Sequence, residues 1–337
     1  MDLSADLHSR FLQLASGNWV TQMIHVAAEL AIADQLAAAG PAGLSAEELA
    51  AACDADGDAL FRLLRGLASL GMFAETEPHR FVLTPLAELL RSDHPGSQRQ
   101  FARMLGGEHY EAWSDLLHSV RSGESAFQHH FGEPVFPWYG HHPERGAIFD
   151  GAMTDFSRQE SQALVAAYDF SGIEHLIDVG GGRGLLLQTV HQQNQGLRGT
   201  LFDQAAVVEA LPVPSDLEGR LQIVSGDFFQ AVPAGGDAYL LKHILHDWGD
   251  AACLTILGHI RNGLAPGGRV LILEQVIPPG NDPAPAKLLD LNMLVMTDGG
   301  RERSPAEYQQ LLEQAGLRLQ AIHPTPSPIS VVEAVAA

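Results

Sequence analysis

Residues 174–184 read EHLIDVGGGRG, a short apolar run followed by four glycines. Leu176, Ile177 and Val179 are typical of a buried parallel strand, and the leucines at 185–187 then open an apolar helix. Glycines between a strand and a helix allow a ligand to lie against bare backbone, beside the positive end of the helix. The stretch therefore predicts a nucleotide-type cofactor bound on an open α/β sheet.

The spacing of the glycines distinguishes between two classes of cofactor, dinucleotides and S-adenosylmethionine (SAM). A dinucleotide-binding loop has the pattern G-x-G-x-x-G, but Leu185 stands where its last glycine would fall when counted from Gly180. The sequence is instead D-x-G-x-G-x-G, with Asp178 two residues before the first glycine. This pattern resembles the first motif of SAM methyltransferases. A nearby carboxylate suits the cationic sulfonium and amino-acid head of SAM and does not suit a pyrophosphate; a tight turn without a ligand is the remaining alternative.

The composition is that of an acidic globular protein. The chain has 337 residues, enough for two domains with substantial cores, and 46% of them are apolar. Its formal charge of −21 argues against binding nucleic acid or an anionic membrane through a general field. Cys53 and Cys253 are far apart, so no disulfide framework or CxxC metal site is present. The N-terminus lacks a signal-peptide pattern and no run of 18 apolar residues occurs, so we expect a cytoplasmic protein without a membrane span.

The first part of the chain is predicted to be mostly helical. Residues 8–40 have alanine-rich apolar spacing that exceeds the needs of one small domain, so we expect a second subunit to cover part of it. Ser45 and Glu48 form a capping-box pattern that predicts a helix at 46–53. Residues 85–159 continue the helical pattern.

A helix at 58–70 and a hairpin made of 72–74 and 81–83 are predicted next. Helix, helix and hairpin in this order are typical of a winged helix, which invites a DNA-binding interpretation. However, residues 1–160 hold ten Arg and no Lys against 22 Asp plus Glu. Phosphate contacts dominate affinity for DNA, so this domain is a poor DNA surface and a scaffold or dimerisation role is favoured.

From residue 161 the pattern changes to alternating strands and helices. Such alternation predicts a mostly parallel, doubly wound α/β sheet, and the last two strands predict a terminal antiparallel hairpin. The predicted strands are 174–179, 199–203, 221–225, 237–242, 269–275, 317–322 and 329–335, and the predicted helices include 184–192, 250–263, 286–297 and 304–315. The chain therefore divides into a helical, winged-helix-like domain at 1–160 and an α/β domain at 161–337.

Polar residues follow successive strands of the predicted sheet, at the carboxyl ends where open α/β sheets bind ligands. Asp203 ends the second strand, where a carboxylate can accept hydrogen bonds from ribose hydroxyls. Asp227 and Phe228 follow the third strand, where an adenine could be held, and Lys242 ends the fourth. Each residue alone is compatible with an ordinary loop or cap, but all of them at successive strand ends favour one cofactor site.

His246 follows the fourth strand in LKHILHDW, on the same side of the sheet. A lone histidine is more often structural than catalytic, but two carboxylates are placed to join this one. Glu274 ends the fifth strand, and Glu302 lies in GGRERS. A carboxylate on one imidazole nitrogen fixes the tautomer and raises basicity, which leaves the other nitrogen to take a proton.

The chain resembles the SAM-dependent small-molecule O-methyltransferases, a family that includes plant caffeate and flavonoid enzymes, hydroxyindole O-methyltransferase, and bacterial enzymes that tailor polyketides and phenazines. The resemblance covers nearly the whole chain and is most specific in HDW together with GGRER, beside DVGGGRG, GDFF and LAPGGRVLILEQVIPP. It implies a seven-stranded, Rossmann-like SAM methyltransferase domain and an N-terminal winged-helix-like dimerisation domain. It also implies a homodimer, SAM as cofactor and no metal.

The same resemblance implies roles for individual residues. His246 becomes the general base, Glu302 its main orienting carboxylate, and Glu274 the second flanking carboxylate. The residues expected to contact SAM are Asp178, Gly180, Gly182, Asp203, Asp227, Phe228 and Lys242. The residues expected to line the acceptor pocket are Phe149, Met153, Asp247, Asn292, Met293 and Met296.

These features predict a metal-independent transfer of a methyl group to a phenolic hydroxyl. A phenol has a pKa of about 10 and histidine one of about 6.5, so a free imidazole removes the phenolic proton only unfavourably. If the proton moves while the methyl group is transferred, in a dry pocket, much of this free-energy cost is avoided. The expected acceptor is a planar aromatic secondary metabolite, such as a phenazine, polyketide, quinone or flavonoid-like compound. The alternatives are SAM-assisted hydroxylation, decarboxylation or N-methylation on the same fold, and a binding or regulatory protein, which the charge disfavours.

Overall fold

Residues 3–337 are described by the computed structural model, with side chains described from residue 6 onward. They divide into two compact units: one runs as far as Ser114 and also comprises Trp138–Asp155, and the other comprises Asp115–Pro137 and Phe156–Ala337. The boundary predicted at residue 160 lies close to the break at Asp155. The segment 115–137, in contrast, belongs to the second unit.

The first unit begins with three helices in the region 8–40, where the sequence predicts helices. Backbone at Ala31 is left-handed, with φ 52°, and interrupts the pattern. The helices that lie wholly in this unit are α1 (Leu3–Ala15), α2 (Gly17–Glu29), α3 (Ile32–Ala39), α4 (Ala46–Cys53), α5 (Gly57–Ser69), α6 (Arg99–Gly106) and α7 (Glu108–Trp113).

Helices α4 and α5 combine with three short strands into the winged-helix-like part. The strands β1 (Leu44–Ser45), β2 (Phe73–Glu77) and β3 (Arg80–Leu83) pair antiparallel in the order β1-β3-β2. The capping box is present: Glu48 N donates to Ser45 Oγ at 3.1 Å, and Ser45 N donates to Glu48 Oε2 at 2.7 Å. The predicted helix–helix–hairpin order is therefore confirmed.

The first helices leave large apolar side chains in water. On α1 and α2 these exposed residues are Leu7, Phe11, Leu12, Leu14, Trp19 and Val26. Covering a side chain of this size is worth about 1.5–3 kcal/mol. A row of such residues on consecutive helices is typical of a surface that a partner covers.

Four helices follow in the segment 116–167, and the last two contain residues of both units. They are α8 (Leu116–Ser122), α9 (Ala126–Phe131), α10 (Val135–His141) and α11 (Pro143–Ala167). The remaining helices, all in the second unit, are α12 (Leu185–Gln193), α13 (Ala205–Val208), α14 (Asp250–Gly263), α15 (Pro285–Met296) and α16 (Pro305–Gln314).

The second unit contains a seven-stranded sheet in the order β6-β5-β4-β7-β8-β10-β9. Strands β4 to β8 run parallel, and β10 is antiparallel to both β8 and β9, which confirms the predicted terminal hairpin. The strands are β4 (His175–Val179), β5 (Arg198–Asp203), β6 (Leu221–Ser225), β7 (Gly236–Lys242), β8 (Leu264–Gln275), β9 (Leu317–Pro324) and β10 (Ile329–Ala336).

Alternate residues of each central strand face opposite sides of this sheet. Leu176 and Leu240 belong to one buried cluster, with α12, whereas Ile177 and Leu241 belong to the other, with α14 and α16. Because both faces are covered by helices, the strands are almost continuously apolar, as expected of a doubly wound sheet. Strand β4 lies between β5 and β7, so the strand order reverses beside it, and ligands of such sheets bind at this point.

Among the helices of residues 3–337, none has the length and apolar character needed to cross a bilayer.

Candidate active site

The loop after β4 has the backbone that its glycines predict. Gly180, Gly182 and Gly184 have φ of 70°, 57° and 76°, in the left-handed region that favours glycine. A Cβ at Gly180 would collide with the Ile244 side chain. Glycine at position 180 thus serves both the turn and the close approach of Ile244. Helix α12 begins at Leu185, directly after Gly184.

Asp178 lies fully buried beneath this loop. Its Oδ2 has no hydrogen-bond partner among the described residues. Burial raises the pKa of the carboxyl to about 7, and the positive charge of Lys242 opposes that rise. Buried polar atoms of native proteins nearly always have a partner, so an orphaned carboxylate oxygen beside a glycine loop fits a cationic ligand.

Asp203 at the end of β5 holds the glycine loop. Its Oδ2 accepts a hydrogen bond from Gly182 N at 2.8 Å, and its Oδ1 accepts one from Gln204 N at 2.7 Å. Burial raises the pKa of Asp203, whereas these two backbone donors oppose the rise. The two predicted cofactor residues Asp203 and Gly182 are therefore in direct contact.

Asp227 and Phe228 lie one strand further along the same edge. Asp227 is exposed and its Oδ1 accepts from Phe229 N at 2.8 Å, which fixes the turn after β6. The Phe228 ring packs edge-on to Phe229 and lies 6.3 Å from the Trp248 ring, measured between centroids. An aromatic ring, that of Phe228, and an exposed carboxylate, that of Asp227, therefore follow each other after β6.

Lys242 is held by helix α11, a contact that the sequence did not predict. Its Nζ donates to Ser157 Oγ at 2.8 Å and lies 3.4 Å from Glu160 Oε2. His243 Nε2 lies 2.9 Å from Glu160 Oε1. Burial raises the pKa of Glu160, but His243 and Lys242 outweigh it and lower the pKa to about 2. Burial lowers the pKa of His243 although Glu160 opposes it, so the charged groups at the end of β7 are Lys242 and Glu160.

His246 lies in a single turn, 245–247, after β7 and is only 7% exposed. Its Nδ1 is 2.6 Å from Glu302 Oε1. Its backbone N–H donates to Glu274 Oε1 at 3.0 Å, and its Nε2 is 3.6 Å from Asp247 Oδ1. The structure thus brings together all three residues of the predicted catalytic group, and Asp247 with them.

The hydrogen bond to Glu302 determines which imidazole nitrogen is available. An ionised carboxylate only accepts, so Nδ1 carries a proton and Nε2 is the nitrogen left for chemistry. Burial disfavours the imidazolium, but Asp247, Glu302 and Glu274 outweigh it and raise the pKa of His246 to about 9. Burial also raises the pKa of Asp247 to about 6, which His246 opposes.

Glu274 contacts His246 through the backbone. Its Oε1 accepts from His246 N, and its Oε2 accepts from the Tyr308 hydroxyl at 2.5 Å. Tyr308 is fully buried on α16 and was not predicted as a site residue. The helix that carries it does have a visible sequence signal, because Ser304 and Glu307 form a capping box at its start.

Asp247 lies in the turn 245–247, and the other predicted acceptor residues lie on two helices. Met293 and Met296 are buried on α15, one turn apart, and Asn292 is half-buried on the same helix. Phe149 and Met153 lie on α11 within the first unit, where they pack in a small apolar cluster with residues of α6. The Phe149 ring is stacked on Tyr139, with centroids 4.7 Å apart.

Two family models match the chain. One, described as an O-methyltransferase domain, matches residues 113–318. The chain belongs to the O-methyltransferase family. A second model, described as an O-methyltransferase dimerisation domain, matches residues 12–93. The predicted family, fold class and methyltransferase activity are therefore confirmed.

Relatives of this O-methyltransferase match it along nearly their full length. It is 44% identical over 331 residues to the phenazine O-methyltransferase PhzM of Lysobacter antibioticus, covering 97% of this chain and 96% of the relative. The solved structure of LaPhzM has a TM-score of 0.91 and 43% identity, over 98% of this chain and 99% of that one.

A second solved structure is that of NcsB1, an O-methyltransferase from neocarzinostatin biosynthesis in complex with SAM and 2-hydroxy-5-methyl naphthoic acid. It has a TM-score of 0.80 and 35% identity, over 94% of this chain and 96% of that one. The family uses SAM, which confirms the predicted cofactor.

Proposed function

We propose that this O-methyltransferase transfers a methyl group to a phenolic hydroxyl of a planar aromatic secondary metabolite, with His246 as the general base. The observation that carries the proposal is the buried His246–Glu302 pair, with 2.6 Å between Nδ1 and Oε1. The pair lies just beyond the carboxyl end of β7, beside the strand ends that carry the SAM motif. Membership of the O-methyltransferase family supports the reaction type.

His246 accepts the phenolic proton on Nε2 in this proposal. Glu302 holds the Nδ1 proton and stabilises the imidazolium that forms, while Glu274 holds the backbone of the turn. His246 is protonated at neutral pH because its pKa is raised to about 9. A base accepts a proton only in its neutral form, so turnover of a neutral phenol should increase as the pH rises toward that value.

The residues at the strand ends fit SAM. When bound, SAM supplies an activated methyl group on a cationic sulfonium. We assign the cationic part of SAM to the orphaned oxygen of Asp178, close to Gly180 and Gly182. The ribose hydroxyls are assigned to Asp203, the adenine to Asp227 and Phe228, and the carboxylate of the amino-acid head to Lys242.

We assign acceptor binding to a group of mostly apolar side chains that includes one carboxylate, that of Asp247. Asp247 is the candidate polar contact, because its Oδ1 lies 3.6 Å from the reactive Nε2 of His246. Methionines adapt to flat ligands of various shapes, which fits an aromatic acceptor. The residues assigned to acceptor binding are Phe149, Met153, Asp247, Asn292, Met293 and Met296. His246 and these groups need no metal, and among residues 6–337 no three His, Cys, Asp or Glu are arranged to hold one.

The functional form is assigned as a cytoplasmic homodimer. The dimerisation domain matches residues 12–93, and the exposed apolar residues of α1 and α2 supply a surface for a second copy. Both cysteines are free thiols, as the reducing cytoplasm favours. We assign no nucleic acid or membrane partner to a chain with a formal charge of −21.

The experiment that tests the proposal is transfer of labelled methyl from SAM to a panel of phenols, phenazines, quinones and polyketides. The expected product carries the label on oxygen, identified by the chemical shift of its methyl carbon. Label on nitrogen would show that the reaction is N-methylation and not O-methylation. Conversion of the acceptor without incorporation of label would point instead to SAM-assisted hydroxylation or decarboxylation.

A further inference from the structure

Arg303 places a fully buried cation directly under the turn that carries His246. Its side chain is 1% exposed and makes hydrogen bonds with most of its donors. Nη1 donates to Leu245 O at 3.1 Å, and Nη2 donates to Trp248 O at 3.1 Å. Nη2 and Nε also donate to Asp250 Oδ1, at 2.8 Å and 3.2 Å. The planar guanidinium thus bridges two backbone carbonyls.

Those two carbonyls stand on either side of His246 and Asp247. The turn is a single 3₁₀ turn of three residues, with few hydrogen bonds of its own; Trp248 N donates to Leu245 O at 3.2 Å. A rigid fork that binds both ends of such a turn fixes its backbone more firmly than a flexible ammonium group would. Arg303 thus contacts the backbone on both sides of His246 and Asp247.

Arg301 and Glu302, which precede Arg303, also form hydrogen bonds with this turn. Arg301 N donates to His246 O at 2.8 Å, and the Glu302 carboxylate binds His246 Nδ1 at 2.6 Å. Gly300 lies so close to His246 O that a Cβ there would be 2.5 Å away. Arg301 thus binds the backbone oxygen of His246, Glu302 binds its ring, and Arg303 binds the two flanking carbonyls. A shift of residues 301–303 would therefore change the distance between His246 and Glu302.

We propose that Arg303 is a positioning residue for His246, which sets the His246–Glu302 geometry by holding the carbonyls of Leu245 and Trp248. This inference rests on the proposed function, since it concerns how the general base is oriented. Arg303 itself touches neither a reacting atom nor the imidazole ring. Its effect on turnover should therefore pass through the His246–Glu302 pair and disappear when that pair is already disrupted.

A double-mutant cycle between Arg303→Lys and Glu302→Gln tests this dependence. Arg303→Lys keeps the charge but loses the fork, and we expect single-turnover methyl transfer to a neutral phenol to fall by about 10- to 100-fold. In the Glu302→Gln background the same substitution should cost less than about threefold. The dissociation constant of SAM should stay within about twofold, because Arg303 does not reach the glycine loop.

Two matched variants separate positioning from general stability. Arg261→Lys alters another arginine of the second unit that holds a carbonyl, that of Ala315 at 3.1 Å, and should leave turnover unchanged. Asp250→Asn removes the ionic partner of Arg303 but keeps both carbonyl contacts, and should also have little effect. A loss in Asp250→Asn equal to that in Arg303→Lys would assign the effect to the ion pair and overturn the inference.

A spectroscopic readout needs no turnover. In protein labelled with ¹⁵N-histidine, the Nδ1–H proton of His246 should resonate downfield because of its short hydrogen bond to Glu302, and Arg303→Lys should shift it upfield. Arg261→Lys should not. Arg303→Gln, which keeps one amide donor, provides a second variant for the same measurement if the lysine variant does not fold.

The inference fails if the two substitutions are additive, or if the His246 resonance is unchanged in a folded Arg303 variant. Loss of the proposed function gives a different result. If His246→Ala retains full turnover on a neutral phenol, the general-base assignment is wrong, whatever the resonance of His246 does in the Arg303 variants.

Discussion

Replacing Glu302 with Gln should move the pH dependence of methyl transfer to lower pH while keeping the base in place. The substitution preserves shape and removes one charge from a buried, 2.6 Å hydrogen bond to His246 Nδ1. A hydrogen bond to a charged group contributes about 1.5–3 kcal/mol, and one pKa unit corresponds to about 1.36 kcal/mol. The pKa of His246, raised to about 9 in the intact site, should therefore fall by about one to two units.

The sign follows from the form of His246 that accepts a proton. Glu302 stabilises the imidazolium, so it raises the pKa and restricts the neutral base to high pH. The ascending limb of kcat/KM should thus move from a midpoint near pH 9 to one at about pH 7–8 in Glu302→Gln. The plateau above the limb should fall, because a weaker base removes the proton less readily. The variant's defect should consequently be small at neutral pH and larger in alkaline buffer.

The assay is single-turnover transfer of labelled methyl at saturating SAM, with a phenol whose own pKa lies above the range examined. Profiles are compared between about pH 6 and pH 10 for the wild type, Glu302→Gln and Glu313→Gln. Glu313 is an exposed carboxylate on α16 and serves as the matched control. An ascending limb that stays in place in Glu302→Gln, within about 0.3 pH units, would refute the assignment of that limb to the His246–Glu302 pair.

Three further outcomes are expected. His246→Ala should lower turnover of a neutral phenol by about 10²–10⁴-fold with little change in SAM affinity, and the defect should shrink with an acidic, already ionised acceptor such as a nitrophenol; equal losses on both acceptors would exclude proton removal. Asp203→Ala should weaken SAM binding, measured by calorimetry, by about 10- to 100-fold, since ribose hydroxyls lose a charged acceptor worth about 1.5–3 kcal/mol; unchanged affinity would contradict the ribose assignment. Phe11→Glu combined with Trp19→Glu should convert the dimer to monomer in sedimentation, whereas a wild type that is itself monomeric would remove the basis for the homodimer.

The central strands could be predicted closely because their sequence signals are local. Predicted and observed bounds of β4, β5, β6 and β7 differ by at most one residue, since a glycine or a polar residue ends each apolar run, namely Gly180, Asp203, Ser225 and Lys242. Strand β8 was predicted to begin at residue 269 and begins at Leu264, because a left-handed Gly267 and a register shift against β7 interrupt the apolar pattern. Local signals therefore fail where a strand is irregular.

The site could be predicted only where a motif marks it. His246 and Glu302 stand out in sequence, although 56 positions separate them, because HDW and GGRER are family motifs. Tyr308 carries no such mark, because its role arises from the packing of α16 against a strand end far away in the chain. Similarly, no pattern indicates that Glu274 binds the backbone N–H of His246 instead of its ring.

The raised pKa of His246 has a consequence for the state in which an acceptor reacts. When the imidazole is already protonated, a phenol of pKa about 10 loses its proton to solvent at pH 7, which is unfavourable by about three pKa units. When a neutral imidazole of pKa about 6.5 takes the proton, the transfer is unfavourable by the pKa difference of about 3.5 units. The carboxylates around His246 therefore make ionisation easier by less than about 1 kcal/mol. Their larger effect is that an imidazolium, held by Glu302, is already present to pair with the phenolate oxygen. His246→Ala should thus retain part of its defect on an ionised acceptor, because the variant loses this counter-charge as well as the base.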